Sequence, residues 1–208
     1  VDTRTKVGYA IDVASGLDYL HSKNCMHRDI ACRNCLINVA ESVVKISHFG
    51  SSKQAEKYEI PKEEKLSLQW QAPEVIATRI YTAKCDVYSY GILVWEIFHN
   101  AETPFEGIDE KTLEAKMSDP SFRPRLNPEL PIIARKVMMT CWQADPVKRP
   151  VMTEVTLFLI QAPAEMLQPP KKVKPKPANR VKSKTTTCVT PVAGSNRPLS
   201  KRKKSGTA

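Results

Sequence analysis

At 208 residues the chain is long enough for one well-buried domain and too short for two ordinary ones. No run of eighteen apolar residues occurs, which argues against a transmembrane helix, and Asp2, Arg4 and Lys6 interrupt any apolar leader at the N-terminus. The net charge of +10 sits at one end: from Ala164 onwards twelve Lys and Arg face one acid, whereas the preceding residues balance at −1, so the basicity says nothing about the folded part.

From Thr3 to His21 the residues Val7, Ala10, Ile11, Ala14, Leu17 and Leu20 recur at helical spacing and predict an amphipathic helix, ended by the polar turn Ser22-Lys23-Asn24. Two short apolar runs, Cys35–Asn38 and Val43–Ile46, read as a small β-hairpin. Between Ser47 and Gln71 the pattern is lost and charge dominates, which predicts a long functional or disordered loop. Asp86–Phe98 has hardly any polar face, so it is expected to be a helix buried on all sides. Further helices are predicted over Asp109–Ser118, Pro131–Trp142 and Thr153–Gln161, with Asp109 and Thr153 as N-caps and Pro131 in a first turn. After Ala162 the composition changes to Pro, Lys, Ser and Thr, too poor in large apolar residues to offset ordering entropy. The expected organisation is a mainly α domain over residues 1–163 with one small hairpin, and a disordered basic tail over 164–208.

Six cysteines are present (Cys25, Cys32, Cys35, Cys85, Cys141 and Cys188), and without a leader they are expected to be reduced. Cys32-Arg33-Asn34-Cys35 has the spacing of a metal or redox pair, but no second pair or histidine cluster accompanies it, so two free thiols are the better reading.

The stretch that carries chemistry is His27-Arg28-Asp29-Ile30-Ala31-Cys32-Arg33-Asn34-Cys35-Leu36, placed between the first helix and the hairpin. It resembles the catalytic loop of protein kinases, His-Arg-Asp followed five residues later by Asn. Four more blocks follow in the family's order: Ser47-His48-Phe49-Gly50, where kinases carry Asp-Phe-Gly; Ala72-Pro73-Glu74; Lys84-Cys85-Asp86-Val87-Tyr88-Ser89-Tyr90-Gly91; and Cys141-Trp142 running to Arg149-Pro150. The chain is therefore identified as resembling the C-terminal lobe of a protein kinase. Ala31 and Arg33, two and four residues after Asp29, and Gln69-Trp70 before Ala-Pro-Glu are the tyrosine-kinase arrangement. Val44–Gly50 most resembles the cytoplasmic Fes/Fer-type enzymes, including their nematode relatives.

The resemblance implies a role for each matched residue. Asp29 is the base for the acceptor hydroxyl, with Arg33 beside it, and Asn34 is a ligand of magnesium. Leu36 lies against the adenine. Tyr58 is the activating phosphotyrosine of the charged loop, paired with Arg28; the alternative is an exposed loop tyrosine with no regulatory role. Glu74 pairs with Arg149, Asp86 ties the buried helix to the catalytic loop, and His27 and Phe49 stack in the core. ATP and Mg²⁺ are the implied cofactors, and other proteins are the implied partners, with the surface around Pro104–Asp109 available to them.

Three departures from the pattern bear on activity. No Gly-x-Gly-x-x-Gly occurs, so the glycine loop, the phosphate-gripping lysine and its glutamate are expected before Val1, and Leu36 and Phe49 would present an apolar face to a partner. His48 replaces an aspartate that holds magnesium, and a neutral imidazole is a poor ligand for a hard cation. Ser67 and Gln69 also replace the Pro and basic residue that shape the family's peptide platform. The expected function is thus a non-catalytic, pseudokinase-like scaffold, with an ATP-dependent protein-tyrosine phosphotransferase as the alternative. A cytoplasmic location is expected. The tail clusters Lys171-Lys172 and Lys201-Arg202-Lys203-Lys204 read as nuclear-import signals, anionic-surface contacts or a solvated tail, with nothing that could read a base.

Overall fold

The computed structural model describes residues 1–170. The expected disordered tail beyond them, including both basic clusters, lies outside the described residues. Helix α1 (Thr3–Ser22) opens on Asp2, whose carboxylate accepts the Thr5 N–H at 2.8 Å and so satisfies one of the free donors of the first turn. Its inward stripe is Val7, Ala10, Val13, Ala14 and Leu17. Strands β2 (Cys35–Asn38) and β3 (Val43–Ile46) pair antiparallel from Cys35↔Ile46 to Asn38↔Val43, the hairpin read from the sequence. The hairpin lies on α1, where Asp12 accepts the Val44 N–H at 2.9 Å.

The centre of the lobe is α3 (Ala83–Phe98), which begins three residues earlier than its apolar run suggested. Every residue from Cys85 to Glu96 is buried. Helices α1 and α5 (Ile132–Cys141) pack against it. Close approach to α5 requires Gly91, since a Cβ there would meet the Cys141 Cβ at 3.0 Å. The Tyr90 hydroxyl donates to the Ala10 carbonyl at 2.8 Å, which fixes α3 against α1 across the core.

Helix α4 (Glu110–Lys116) is capped by Asp109 as expected, through Thr112 N–H at 3.0 Å. Two other caps differ from expectation. Pro131 is the extended residue before α5, not part of its first turn. Helix α6 (Met152–Ile160) starts one residue before Thr153; its cap position is Val151, held extended after Pro150, and the Glu154 carboxylate accepts the Val151 N–H at 3.0 Å. A downstream carboxylate thus replaces the capping hydroxyl. Thr153 instead donates to Asp18 at 2.7 Å and joins α6 to α1.

The charged segment 47–71 is not structureless. Strand β4 (Lys53–Gln54) pairs with β1 (Cys25–Met26), and β5 (Lys57–Glu59) pairs with β6 (Ile80–Thr82). A six-residue helix, α2 (Pro73–Thr78), opens on Pro73 and ends at Arg79 in the left-handed region, φ 55°. After Pro163 a 3₁₀ turn, Ala164–Leu167, packs Met166 and Leu167 on the core, and the Ile132 N–H donates to the Gln168 carbonyl at 3.0 Å. Packed structure therefore continues past the expected boundary at 163.

Candidate active site

The site is built on one buried carboxylate. Asp86 on α3 is fully buried and accepts the backbone N–H groups of His27 and Arg28, at 2.8 and 2.9 Å, together with the Tyr81 hydroxyl at 2.8 Å. This grip holds Arg28 at φ 73°, a left-handed backbone that a non-glycine residue keeps only when its surroundings over-determine it. His27 is also fully buried. Its Nε2 faces the Ser47 carbonyl at 2.9 Å, its Nδ1 accepts the Asp29 N–H at 3.2 Å, and its ring meets Phe49 edge-on at 5.2 Å. The catalytic loop is thus tied to α3 beneath it and to the segment that carries His48.

Asp29 points out of this frame with both carboxylate oxygens engaged. One receives the Arg33 guanidinium, and the other accepts Asn34 Nδ2 at 2.7 Å. Arg33 lies over the Trp70 ring at 4.2 Å and reaches the Ser67 hydroxyl at 3.4 Å. The Asn34 carbonyl accepts both the N–H and the hydroxyl of Ser47, at 2.9 and 2.8 Å. His48 follows, exposed, at φ 65° and ψ 59°. Histidine is among the residues that tolerate this region.

The residues present do not fit magnesium. That ion demands near-octahedral oxygen ligands, anionic where possible, whereas the two positions implied for it are the buried carboxamide of Asn34 and the imidazole of His48. Among the described residues no three His, Cys, Asp or Glu side chains gather where they could hold a metal. Leu36, implied for the adenine, is 64% exposed, and Ile37, Val39 and Phe49 are exposed as well.

Neither thiol of the Cys-x-x-Cys pair is prepared for chemistry. Both are free, and burial, reinforced by the Glu96 carboxylate, pushes Cys35 up to about 12 and Cys32 higher still. A thiol needs a lowered pKa to act as nucleophile or ligand.

Arg28 and Tyr58 do meet: the guanidinium lies over the Tyr58 ring at 4.3 Å, and Lys53 Nζ approaches the same ring at 5.0 Å. The anionic partner of Arg28, however, is Glu64. Glu74 and Arg149 form a bidentate pair at 2.6 and 2.8 Å.

Two residues here were not singled out from sequence. Glu64 is one of several acids in a charged loop, and loop spacing carries no geometry. Glu96 had a signal, being with Asp86 one of two acids in a largely apolar helix. Its Oε2 accepts the Cys32 N–H and the Trp70 indole N–H, both at 3.0 Å, bridging the catalytic loop to the segment before α2. Burial raises its pKa above the ordinary 4.5, against the lowering effect of those hydrogen bonds. A carboxyl raised on folding contributes stability that is full below its unfolded pKa and is lost as pH rises through its folded pKa. Because one oxygen accepts both bonds, the amide of Glu96→Gln can accept them without ionising. Denaturant midpoints measured at about pH 5 and about pH 8 are expected to shift in favour of E96Q at the higher pH.

Comparison with known proteins agrees with this frame. The sequence profile of protein tyrosine and serine/threonine kinases matches residues 1–159. Fer-related kinase 1 of Caenorhabditis elegans is 36% identical over 151 residues, 72% of this chain and 38% of that protein. The mast/stem cell growth factor receptor kita of Danio rerio is 37% identical over 158 residues, 74% of this chain and 16% of the receptor. The corresponding Kit receptor of Canis lupus familiaris is 37% identical over 163 residues, 76% and 16% respectively. The chain thus spans well under half the length of these relatives. The profile match, these relatives and the tyrosine-type loop around Asp29 and Arg33 together place the chain in the protein tyrosine kinase family.

Proposed function

We propose that this lobe is a pseudokinase-like scaffold: a tyrosine-kinase platform that binds other proteins and does not itself carry out metal-dependent phosphoryl transfer. The observation behind this reading is His48, in an undistorted left-handed turn directly after the Ser47–Asn34 hydrogen bonds, where the family places a carboxylate for Mg²⁺. Members of the family use ATP and Mg²⁺. Here the carboxamide of Asn34 would be left without an anionic co-ligand.

The surface supports protein binding in two places. Leu36 and Phe49 are large apolar side chains left exposed, and exposed apolar surface of this kind favours a covering partner. The surface around Pro104–Asp109 is narrower than expected. Pro104 and Phe105 are buried, Phe105 stacking on Phe122 at 5.1 Å, so Glu106, Gly107 and Asp109 are what a partner would meet.

A second reading, an active protein-tyrosine phosphotransferase, is favoured by one observation. Asp29 keeps both of its hydrogen-bond partners and stays partly exposed, placed to accept the proton of a tyrosine hydroxyl. No described helix is long and apolar enough to cross a membrane. We place the protein in the cytoplasm, with entry to the nucleus through the basic tail as the further possibility to test.

The deciding experiment is equilibrium ATP binding with and without Mg²⁺, run on the native chain and on His48→Asp. The native chain is expected to gain nothing from Mg²⁺, and H48D to gain roughly tenfold in affinity. Magnesium-dependent ATP binding with peptide phosphorylation by the native chain would overturn the scaffold reading.

A further inference from the structure

The loop that follows His48 holds a contact that the family resemblance did not lead us to expect. Arg28 is only 6% exposed, so its guanidinium has lost most of its hydration and needs a counter-charge. It donates to the Ser51 carbonyl at 2.9 Å and lies over the rings of Tyr58 and Tyr81, at 4.3 and 5.7 Å, while its Nε–H is buried without a partner. The only anion it meets among the described residues is the Glu64 carboxylate. Of the loop acids Glu56, Glu59, Glu63 and Glu64, the first three are exposed and Glu64 alone turns inward.

Glu64 is pinned from a second direction. The Arg79 guanidinium donates to the Pro61 and Glu64 carbonyls, both at 2.6 Å, and to the Ile60 carbonyl at 3.3 Å, while the Glu64 N–H closes a turn on the Pro61 carbonyl at 3.1 Å. The residue's backbone is therefore ordered before its side chain contributes anything. Only side-chain rotamer entropy then remains to be lost when the carboxylate meets Arg28, and the nearly buried guanidinium separates this pair from ordinary surface ion pairs.

We infer that Glu64 is a built-in counter-ion for Arg28 that latches the 57–66 segment onto the catalytic loop, so that ordering this segment does not require a phosphate on Tyr58. Removing the carboxylate would leave a buried guanidinium with no anion and one unmet donor already, and opening the loop to water is the cheapest relief. The inference concerns the order of the loop alone and stands whether or not the lobe transfers phosphate.

The test uses the full chain made in bacteria lacking tyrosine kinases, with the Tyr58 peptide confirmed unphosphorylated by mass. Amide hydrogen exchange is followed over 57–66 and over α3 and α5 as internal controls, in the native protein, Glu64→Gln and Tyr58→Phe. Protection of 57–66 is expected in the native protein and in Y58F. In E64Q it should exchange about tenfold faster, with α3 and α5 unchanged. Three results would each overturn the latch. These are equal exchange in native protein and E64Q, equal acceleration throughout the lobe, and a native 57–66 segment as unprotected as that of E64Q.

Discussion

Replacing Glu74 by glutamine is expected to destabilise the lobe by about 3–5 kcal/mol, because it strands a buried cation. The Arg149 side chain is fully buried, and its bidentate partner Glu74 supplies the negative charge nearest to it. The remaining donors go to the Gln143, Lys84 and Ala144 carbonyls, at 2.7, 2.9 and 3.2 Å, so the guanidinium is fully hydrogen-bonded and cannot turn to solvent. A glutamine preserves the shape and one acceptor but removes the charge. For a folded unit of this size the loss corresponds to a fall in Tm of roughly 6–20 °C, read by thermal unfolding. The double variant Glu74→Leu with Arg149→Met removes both charges, and it is expected to be more stable than the sum of the single changes predicts. Strict additivity would show that the pair acts only as separate hydrogen-bonding groups.

The second large effect is expected at Asp86→Asn, with a loss of about 3 kcal/mol or more. The wild-type carboxylate accepts from four donors: the His27 and Arg28 N–H groups, the Tyr81 hydroxyl, and His21 Nε2 at 3.1 Å. An asparagine offers one acceptor oxygen and turns an NH₂ against the other donors. The cost should appear first in the catalytic loop, since the left-handed Arg28 relies on this grip. Hydrogen exchange at His27 and Arg28 is expected to accelerate beyond what the fall in global stability explains. Loss of stability without that local excess would show that Asp86 supports α3 alone and not the loop.

Legibility from the sequence followed the size and regularity of each element. Helix α1 was legible because it buries one face, which writes a period of 3.6 into the chain, and the β2–β3 hairpin because two short apolar runs flank a polar linker. Helix α3 was legible for the opposite reason, as it has no polar face. The strands of two and three residues, β1, β4, β5 and β6, were not legible. Their pairing is through backbone groups, and side chains such as Lys53, Lys57 and Glu59 give no alternation to read. Helix α2 was missed because six residues are too few to show a period. The start of α6 was misplaced because Glu154 serves the cap from within the helix. At the site, Asp29, Arg33 and Asn34 were legible as an ordered motif, whereas Glu64 was not, since nothing along the charged loop says which acid turns inward.

What the sequence by itself determined is therefore the family and the helical scaffold with its small hairpin, because motifs and periodic burial are properties of residue order. What only the tertiary structure decided is which charges meet. Arg28 finds Glu64, thirty-six positions away, and Glu96 finds the Cys32 N–H and the Trp70 indole. Asp86 gathers donors from α1, the catalytic loop and β6. The reason is physical: a buried charge must be neutralised by whatever the packed core brings within reach, and that neighbour is set by how α1, α3 and the loop over 57–66 come together.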